Sequence, residues 1–339
     1  MTDELRDSYD VVVAGGGAAG LNGALMLARS RRSVVVIDAG APRNAPATAV
    51  HGLLGRDGMP PGELLDRGRA EVRGYGGQVV SGQITAARRD GDGFTVTLAG
   101  GRPVEARRLL IAAGLTDELP DVEGLRARWG KDVIHCPYCH GWEARDQAIG
   151  VLASGPMAVH QALLFRQLST DVILLAHTSP PPAGEEAGQL AARGISVVPG
   201  TVAALEVNGG RLTGIRLASG QVVPRQVLVV GPRMVARAGF LAGLGLQPAE
   251  HPAGLGTYIP ADARGQTAVP GVWAAGNITD LAAQVGGAAA AGAMAGAAIN
   301  ADLVAEEARQ AVAARQDPFS AAAEARVCEQ VAGAGRHGL

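Results

Sequence analysis

Two cysteines three positions apart, Cys136 and Cys139, form the part of this sequence best suited to chemistry. Sulfur atoms at that spacing can lie on one helical turn within bonding distance, so the pair can cycle between a dithiol and a disulfide. His135 and His140 flank the pair, and an imidazole beside a thiol can lower the thiol pKa or carry its proton. The sequence therefore predicts a redox-active disulfide, with these four side chains as its catalytic group.

The same side chains could instead form part of a zinc site, because cysteine and histidine are the usual zinc ligands. Four ligands packed so tightly along the chain do not easily surround one ion, so we expect no metal centre. A thioredoxin-like fold is also excluded, because the pair does not follow the first strand of a small α/β domain.

A glycine-rich turn near the N-terminus predicts nucleotide binding. An apolar strand leads into GGGAAG at Gly15–Gly20, a helical segment follows, and a second apolar strand ends at Asp38. In this pattern Gly15 makes the turn, Gly17 lets a pyrophosphate approach the backbone, and Gly20 packs the helix on the strand. The acid at Asp38 would bind ribose hydroxyls, so the whole pattern predicts a dinucleotide-binding domain.

A second strand–turn–helix–strand unit, at about residues 148–175, follows the cysteine pair. Its turn, Ala153–Ala158 (ASGPMA), has lost the first glycine of a dinucleotide turn. The segment after its second strand, Ala176–Ser179, has neither an acid for a ribose diol nor arginines for a 2′-phosphate. We therefore expect the fold of a second nucleotide domain with weakened nicotinamide binding.

Together these units predict an α/β fold with two Rossmann-like (three-layer ββα) dinucleotide-binding domains. The first domain, residues 1–117 and 252–339, is expected to be discontinuous, with an antiparallel insertion and a helical tail that holds Cys328. The second domain, residues 118–251, carries the cysteine pair. An irregular stretch at 41–61, which includes His51, is long enough to be functional rather than only connective.

Composition limits the classes of partner. The 339 residues are 47% hydrophobic and 18% charged, with a net charge of -2, which gives no reason to expect nucleic acid or an anionic membrane. Three cysteines are too few for a disulfide framework, and the acidic N-terminus lacks a signal peptide, so a cytoplasmic protein is expected.

Two further stretches have simple interpretations. Leu281–Ile299 carries no formal charge and contains Gly292-x-x-x-Gly296, but it is mostly Ala and Gly, which favours a buried, closely packed helix over a membrane span. The arginine pairs Arg31-Arg32 and Arg107-Arg108 are expected on solvated faces.

Four motifs occur in one order along the chain: the glycine-rich turn, the strand end Ala112–Gly114, the cysteine pair, and Gly271–Asn277 (GVWAAGN). That order resembles the low-molecular-weight thioredoxin reductase family, over roughly residues 9 to 300. Within this family the flanking histidines and the His51-Gly52 segment are most similar to the FAD-dependent dithiol oxidases. Those enzymes close disulfides in small natural products such as holomycin, gliotoxin and romidepsin.

The resemblance implies FAD on the first domain, a homodimer, and a flavin beside the cysteine pair. It assigns Cys139 to the flavin and Cys136 to exchange with substrate, and it places His140 where the family usually has an acid. Asn277 replaces the family's usual Asp, and the helix after it would aim its positive N-terminal end at the flavin. The cofactor-binding residues expected on this basis are Gly15, Gly17, Ala18, Ala19, Gly20, Asp38, Ala39, Asn44, His51, Ala113, Gly114, Gly276, Asn277, Gln284 and Val285.

The leading hypothesis is an FAD-dependent dithiol oxidase that acts on a small-molecule dithiol, with O2 as electron acceptor and H2O2 as product. The alternative is an NAD(P)H-dependent, thioredoxin reductase-like disulfide reductase, and a third class is a flavin-binding regulatory or electron-carrier protein. The missing nicotinamide determinants favour the oxidase and make NAD(P)H a doubtful cofactor. An intact Cys136/Cys139 pair argues against the third class.

Overall fold

The computed structural model describes residues 5–316 and 321–334. Its strands are β1 Ser8–Ala14, β2 Val34–Asp38, β3 Gln78–Ser81, β4 Ile84–Asp90, β5 Gly93–Leu98, β6 Pro103–Ile111, β7 Leu115–Glu118, β8 Val133–Ile134, β9 Ile149–Leu152, β10 Val172–Leu175, β11 Ser196–Val198, β12 Val202–Asn208, β13 Arg211–Leu217, β14 Val222–Val223, β15 Val227–Val230, β16 Arg233–Ala236, β17 Ala249–Glu250, β18 Gly256–Tyr258 and β19 Val272–Ala274. Its helices are α1 Ala18–Arg29, α2 Pro61–Gly74, α3 Leu125–Arg128, α4 Pro137–His140, α5 Ala158–Phe165, α6 Gly184–Ala192, α7 Val285–Gln316 and α8 Ala321–Ala334.

The first sheet has the strand order β3-β2-β1-β6-β5-β4, and β19 also pairs with β6. β1 lies parallel to β2 and β6, whereas the hairpin β4–β5 is antiparallel and adds to the far side of β6. β6 is long enough to pair with β5 along its first half and with β19 along Leu109–Ile111. A strand from the C-terminal part of the chain thus completes the sheet that the N-terminal part begins.

The central strands of this sheet are apolar on both faces, as expected for parallel strands covered on both sides. Val11 and Val13 pack in the core beneath α1 and α7, while Val12 and Ala14 pack on the opposite face. The core is thus built from both ends of the chain.

α1 and α7 approach each other unusually closely, because glycines replace side chains at their crossing. A Cβ added at Gly292 would lie 1.9 Å from the carbonyl oxygen of Ala19, and one at Gly296 would lie 2.6 Å from that of Gly23. The Gly292-x-x-x-Gly296 motif is therefore a contact surface between two core helices.

α7 is long and apolar enough, by length and composition alone, to cross a membrane. Its glycine-mediated contact with α1 is the packing expected of a core helix instead, as its Ala- and Gly-rich sequence predicts.

The second unit is a parallel sheet of order β11-β10-β9-β15-β8, with the three-stranded sheet β12-β13-β14 beside it. β9, β10 and β15 are buried at every position, and α5 packs against β9 and β10. This strand–helix–strand arrangement confirms the predicted fold class of two Rossmann-like domains.

A small sheet, β17-β18-β16-β7, lies where the chain passes between the two units. Its strands β7 and β16 pair antiparallel, so the outgoing and returning segments are hydrogen-bonded to each other. After β16, Ala236, Leu241 and Leu246 pack into the core of the first unit. These contacts indicate that the chain returns to the first unit before residue 252. The domain boundaries themselves stay a prediction.

The interpretation of the arginine pairs as solvated faces was wrong for Arg32, Arg107 and Arg108; the Arg32 side chain is 12% exposed, and its Nε donates to Asn300 Oδ1 at 2.8 Å. Arg108 is only 9% exposed, and its Nε donates to Asp302 Oδ2 at 2.6 Å. Arg107 donates to Asp10 Oδ1 and to Glu307 Oε1 at 2.8 and 2.9 Å. Because α7 lies across the end of β6, its carboxylates reach arginines that the local sequence gave no reason to place inside.

The α1–α7 crossing generates a stability prediction. We expect Gly292→Ala to lower the free energy of unfolding by about 1–3 kcal/mol or more, because the new methyl group overlaps the α1 backbone. In the same helix, a Cβ at Gly287 would meet its nearest neighbour at 4.0 Å. Gly287→Ala should therefore be neutral or stabilise by up to about 1 kcal/mol. Urea unfolding of both variants checks this, and equal stabilities would contradict the close contact.

Candidate active site

A cavity of about 1170 Å³ lies between the two units and receives residues from both. All the predicted catalytic residues, Cys136, Cys139, His135 and His140, line it. So do the predicted cofactor residues Gly15, Gly17, Ala18, Ala19, Asp38, Ala39, Asn44, His51, Ala113, Gly114, Gly276, Asn277, Gln284 and Val285. Gly20 alone of the predicted set lies off the cavity wall.

The first glycine-rich turn uses each of its glycines differently. Gly15 has φ +108°, and a Cβ there would lie 2.4 Å from the carbonyl oxygen of Ala112. A Cβ at Gly20 would overlap the carbonyl oxygen of Gly15 at 1.9 Å, so Gly20 serves the packing of α1 on the turn. A Cβ at Gly17 would meet nothing within 4 Å, and no side chain caps α1 there. The helix N-terminus is thus open to the cavity, which suits a pyrophosphate.

Asp38, at the end of β2, is held by two contacts. Its Oδ2 accepts from Arg69 Nη2 at 2.9 Å, and its Oδ1 accepts from the backbone N–H of Gly40 at 3.1 Å. The predicted ribose-binding acid therefore lies at the cavity wall with an arginine partner that the sequence did not indicate.

Asn277 orders the turn before α7. Its amide nitrogen donates to the carbonyl oxygens of Asp280 and Ala283 at 3.0 and 2.9 Å. These bonds engage its N–H groups and leave Oδ1 as the atom able to accept from a ligand hydroxyl. The turn places Gln284 and Val285, at the start of α7, against the cavity.

The cysteine pair sits on the single turn α4. Cys136 is the N-cap residue, Pro137 occupies the first helical position, and the two Sγ atoms are 2.7 Å apart. Closing a disulfide of about 2.05 Å therefore requires little backbone movement. The first helical position suits proline, which has no N–H to lose there.

The two thiols differ in acidity because of their places on this turn. The Cys139 thiol donates to Cys136, and the backbone N–H groups of Tyr138 and Cys139 also point at it, which together lower the pKa of Cys136 to about 7. The same contact, with burial, raises the pKa of Cys139. Cys136 is thus the thiolate of the reduced pair near neutral pH, and Cys139 carries the proton.

His135 is anchored from one side. Its Nδ1 donates to the carbonyl oxygen of Val230 at 3.1 Å, and the buried amide of Gln161 lies 3.2 Å from the same nitrogen. Burial, assisted by the Arg43 guanidinium, lowers the pKa of His135. The imidazole is therefore neutral near pH 7, with Nε2 as its proton acceptor.

His140 is the second neutral imidazole. Burial lowers its pKa despite the opposing carboxylate of Glu143. Its Nε2 is buried and has no hydrogen-bond partner within the described residues. An orphaned acceptor or donor at a cavity wall is expected where a ligand completes the site.

These observations fit a flavin dinucleotide. The open N-terminus of α1 suits its pyrophosphate, and the start of α7 suits its anionic ring. His140, whose Nε2 has no partner within the described residues, lines the same cavity as the two thiols.

Arg43, in the 41–61 loop, was not singled out from the sequence. Its guanidinium pairs in a two-pronged contact with Asp117, at 2.9 and 2.7 Å, and donates to the carbonyl oxygen of Leu281 at 3.4 Å. It adds a fixed positive charge that contributes to the lowered pKa of Cys136 and opposes the rise in the pKa of Cys139. An arginine in a long irregular loop was the only available signal, and it did not identify Asp117 as the partner.

His51 joins the same loop to the cysteine segment. Its Nδ1 lies 3.2 Å from Asp57 Oδ1, and its Nε2 lies 3.5 Å from Glu143 Oε1. Glu143, just beyond α4, was also missed from the sequence.

The second nucleotide turn keeps only part of a phosphate cradle. Ser154 donates its hydroxyl to the carbonyl oxygen of Gly231 at 3.1 Å, and Pro156 has no N–H to offer. Gly155 stays open, since a Cβ there would meet nothing within 4 Å. After β10, His177 accepts from the backbone N–H of Val202 at 3.1 Å. The side chains of Ser154 and His177 are therefore engaged within the protein, and the turn has one backbone donor fewer at Pro156.

In residues 5–316 and 321–334, no three or more His, Cys, Asp or Glu side chains are grouped so as to hold a metal ion.

The asymmetry of the thiols can be measured. In a Cys328→Ser background, which removes the exposed third thiol, alkylation of reduced protein by iodoacetamide should rise with pH through about 7 as Cys136 ionises. Adding Cys139→Ala removes the donor to Cys136, so the midpoint should move up towards ~8.5. A midpoint that does not change would contradict the thiol–thiolate contact.

Comparison with known proteins agrees with the geometry. Residues 9–312 match the family described as pyridine nucleotide-disulphide oxidoreductase. The thioredoxin reductase tcpT of Claviceps purpurea (strain 20.1) is 31% identical over 308 residues, which are 88% of this chain and 95% of that protein. The thioredoxin reductase sirT of Leptosphaeria maculans is 29% identical over 312 residues, 86% of this chain and 93% of that protein.

Solved structures give the same assignment. The crystal structure of HlmI shares 46% identity at a TM-score of 0.87 and covers 94% of this chain and 100% of that one. The oxidoreductase from Agrobacterium tumefaciens shares 36% identity at a TM-score of 0.82, covering 88% and 99%. The predicted resemblance is confirmed: the chain belongs to the pyridine nucleotide-disulphide oxidoreductase family and is a thioredoxin reductase-like oxidoreductase, which implies a flavin cofactor.

Proposed function

We propose that this protein is an FAD-dependent dithiol oxidase that converts a small-molecule dithiol and O2 into a cyclic disulfide and H2O2. The observation that carries the proposal is that one cavity holds the cysteine pair and the open glycine turn, while the second nucleotide turn lacks its first glycine and has Pro156, which cannot donate, in place of a backbone N–H donor. Electrons can thus pass from thiols to a flavin, but the site for a nicotinamide donor is degraded.

FAD would be held by the first turn, with Gly17 at its pyrophosphate, Asp38 at a ribose and the start of α7 at its ring. When bound, FAD would accept two electrons from the reduced cysteine pair and pass them to dioxygen. Everything else in the reaction belongs to side chains of the chain itself.

The chain performs two thiol–disulfide exchanges. A substrate thiolate attacks Cys136 Sγ of the Cys136–Cys139 disulfide, forming a mixed disulfide and releasing the Cys139 thiolate. The second substrate thiolate then attacks the substrate sulfur of that mixed disulfide, which forms the product disulfide and releases Cys136. A thiol of low pKa leaves faster, so the pKa of about 7 at Cys136 suits it to this exchange.

The substrate gives up two protons, and neutral histidines are placed to accept them. His140 offers an unpartnered Nε2 next to Cys139 in the chain, and His135 offers Nε2 next to Cys136. Each imidazole has a lowered pKa, so each is unprotonated at neutral pH and able to act as a base. The protons finally leave with the peroxide.

The alternative is an NAD(P)H-dependent disulfide reductase. The names of the relatives tcpT and sirT, both called thioredoxin reductases, favour it. The second turn, which has lost its first glycine, favours the oxidase.

We further propose that the protein is a homodimer in the cytoplasm. Met294 and Val304 are exposed on α7 and give a second copy an apolar surface to cover.

An anaerobic titration separates the two activities. We expect dithiothreitol to bleach the flavin absorbance of the wild-type protein, and NADPH to leave it unchanged over the same period. Gly17→Leu is the control: its side chain enters open space, so the protein should fold with the melting temperature of the flavin-free wild type but retain no flavin. Rapid bleaching by NADPH would establish the reductase instead.

The role of His140 can be tested separately. His140→Ala should slow aerobic dithiol oxidation by about 10²–10⁴-fold at neutral pH while flavin content is kept. The defect should shrink as pH rises towards ~8.5, because the thiols then ionise without a base. His177→Ala, at a histidine outside the cavity lining, is the matched control. Normal turnover with a lowered melting temperature would assign His140 to structure.

A further inference from the structure

The cavity continues past the cysteine pair into the second nucleotide unit. There it is lined by the turn residues Ser154, Gly155, Pro156 and Met157, and by His160 and Leu164 of α5. α4 packs against α5, so the cysteine turn and this region form one wall. Tyr138, between the two cysteines, lines the same cavity and is 65% exposed.

This end of the cavity is shaped by apolar groups in place of nucleotide-binding ones. Pro156 and Met157 stand at the two positions after the retained Gly155 where a dinucleotide turn presents backbone N–H groups, and Pro156 has none. The ring of Pro156 lies 3.7 Å from where a Cβ at Gly254 would be, so the turn packs against a loop that also lines the cavity. Leu164 and Leu255 add apolar surface on either side.

The three arginines of the cavity wall are already engaged, so none of them offers a free guanidinium to an anionic group at this end of the cavity. Arg43 pairs with Asp117 at 2.7 Å, and Arg233 pairs with Glu250 at 2.7 Å. Arg237 donates to the carbonyl oxygen of Ala41 at 2.9 Å and to Thr116. A phosphate entering here would have to displace one of these contacts, whereas a neutral ligand would not.

From this geometry we infer that the vestigial nucleotide turn is the binding site for the apolar frame of the dithiol substrate. Met157, Leu164 and Tyr138 contact that frame and orient its first thiol at Cys136. The inference rests on the proposed function for the nature of the ligand, and it adds a location and a substrate class: small, uncharged, apolar dithiols.

The test compares two dithiols that close the same six-membered ring, 1,2-benzenedimethanethiol and dithiothreitol. They differ in carrying a benzene ring or two hydroxyl groups. We expect the wild-type holoenzyme to prefer the aromatic dithiol in kcat/KM. Met157→Gln, which keeps side-chain length but adds an amide, should lower the ratio of kcat/KM for the aromatic dithiol to that for dithiothreitol by about tenfold. Leu164→Asn should act in the same direction, in case Met157→Gln folds poorly.

Met26→Gln is the matched control, since Met26 is 38% exposed on α1 and does not line the cavity. It should leave the ratio unchanged. A ratio equally unchanged in Met157→Gln and Leu164→Asn would overturn the inference.

A binding titration makes the test independent of turnover. The closed aromatic disulfide should bind the oxidised holoenzyme, detected by calorimetry, and bind Met157→Gln about tenfold more weakly. If the wild-type protein oxidises neither dithiol, the proposed function fails. This titration still decides whether this end of the cavity binds apolar ligands. If the wild-type protein binds NADP⁺ and not the disulfide, and Met157→Gln weakens the binding of NADP⁺, this end of the cavity is a nucleotide site and the inference is overturned.

Discussion

The chemistry depends on holding a cysteine pair from one unit against a glycine turn from the other. The antiparallel pairing of β7 with β16 joins the two crossings of the chain. The 41–61 loop adds contacts across the cavity, from His51 to Glu143 and from Pro46 to Gly130, where a Cβ would lie only 2.6 Å from the proline. A long loop without regular structure is thus fixed at both units, which keeps the two halves of the site in one cavity.

Within that cavity, charge is balanced locally. The ionisable Cys136 has as neighbours a protonated thiol, backbone N–H groups, and the Arg43 guanidinium, which Asp117 already neutralises in part. Both nearby histidines are neutral because burial penalises their charged forms. In the reduced pair, a single thiolate among neutral bases is therefore the stable state near pH 7. In the oxidised pair, a proton that moves from an incoming thiol to an imidazole leaves a thiolate beside an imidazolium, and these opposite charges stabilise each other.

Local patterns were enough to predict the two nucleotide-binding units, the β4–β5 hairpin, the glycine turn and the cysteine pair, because each rests on short-range periodicity or a motif with one physical role. The other cofactor residues expected at the cavity came from the family resemblance. What the sequence did not reveal comes from contacts distant in the chain. Three contacts form only when the sheets and α7 bring distant segments together. They are Arg43 with Asp117, Gln161 with His135, and Arg108 with Asp302. Residues 317–320 and 335–339 of the predicted helical tail lie outside the described residues. Within the described part of the tail, Cys328 is exposed on α8.

The second unit keeps its fold although its turn has changed, and the reason is energetic. β9, β10 and β15 are fully buried, so the sheet is stabilised by apolar packing that does not involve any ligand at the turn. Ala153 and Ala158, at the ends of the turn, belong to that core, whereas Ser154–Met157 between them lie outside it and can vary without unfolding the domain. A turn of sequence ASGPMA is therefore expected to weaken nucleotide affinity at little structural cost, and it places the apolar side chains of Pro156 and Met157 in the cavity that holds the cysteine pair.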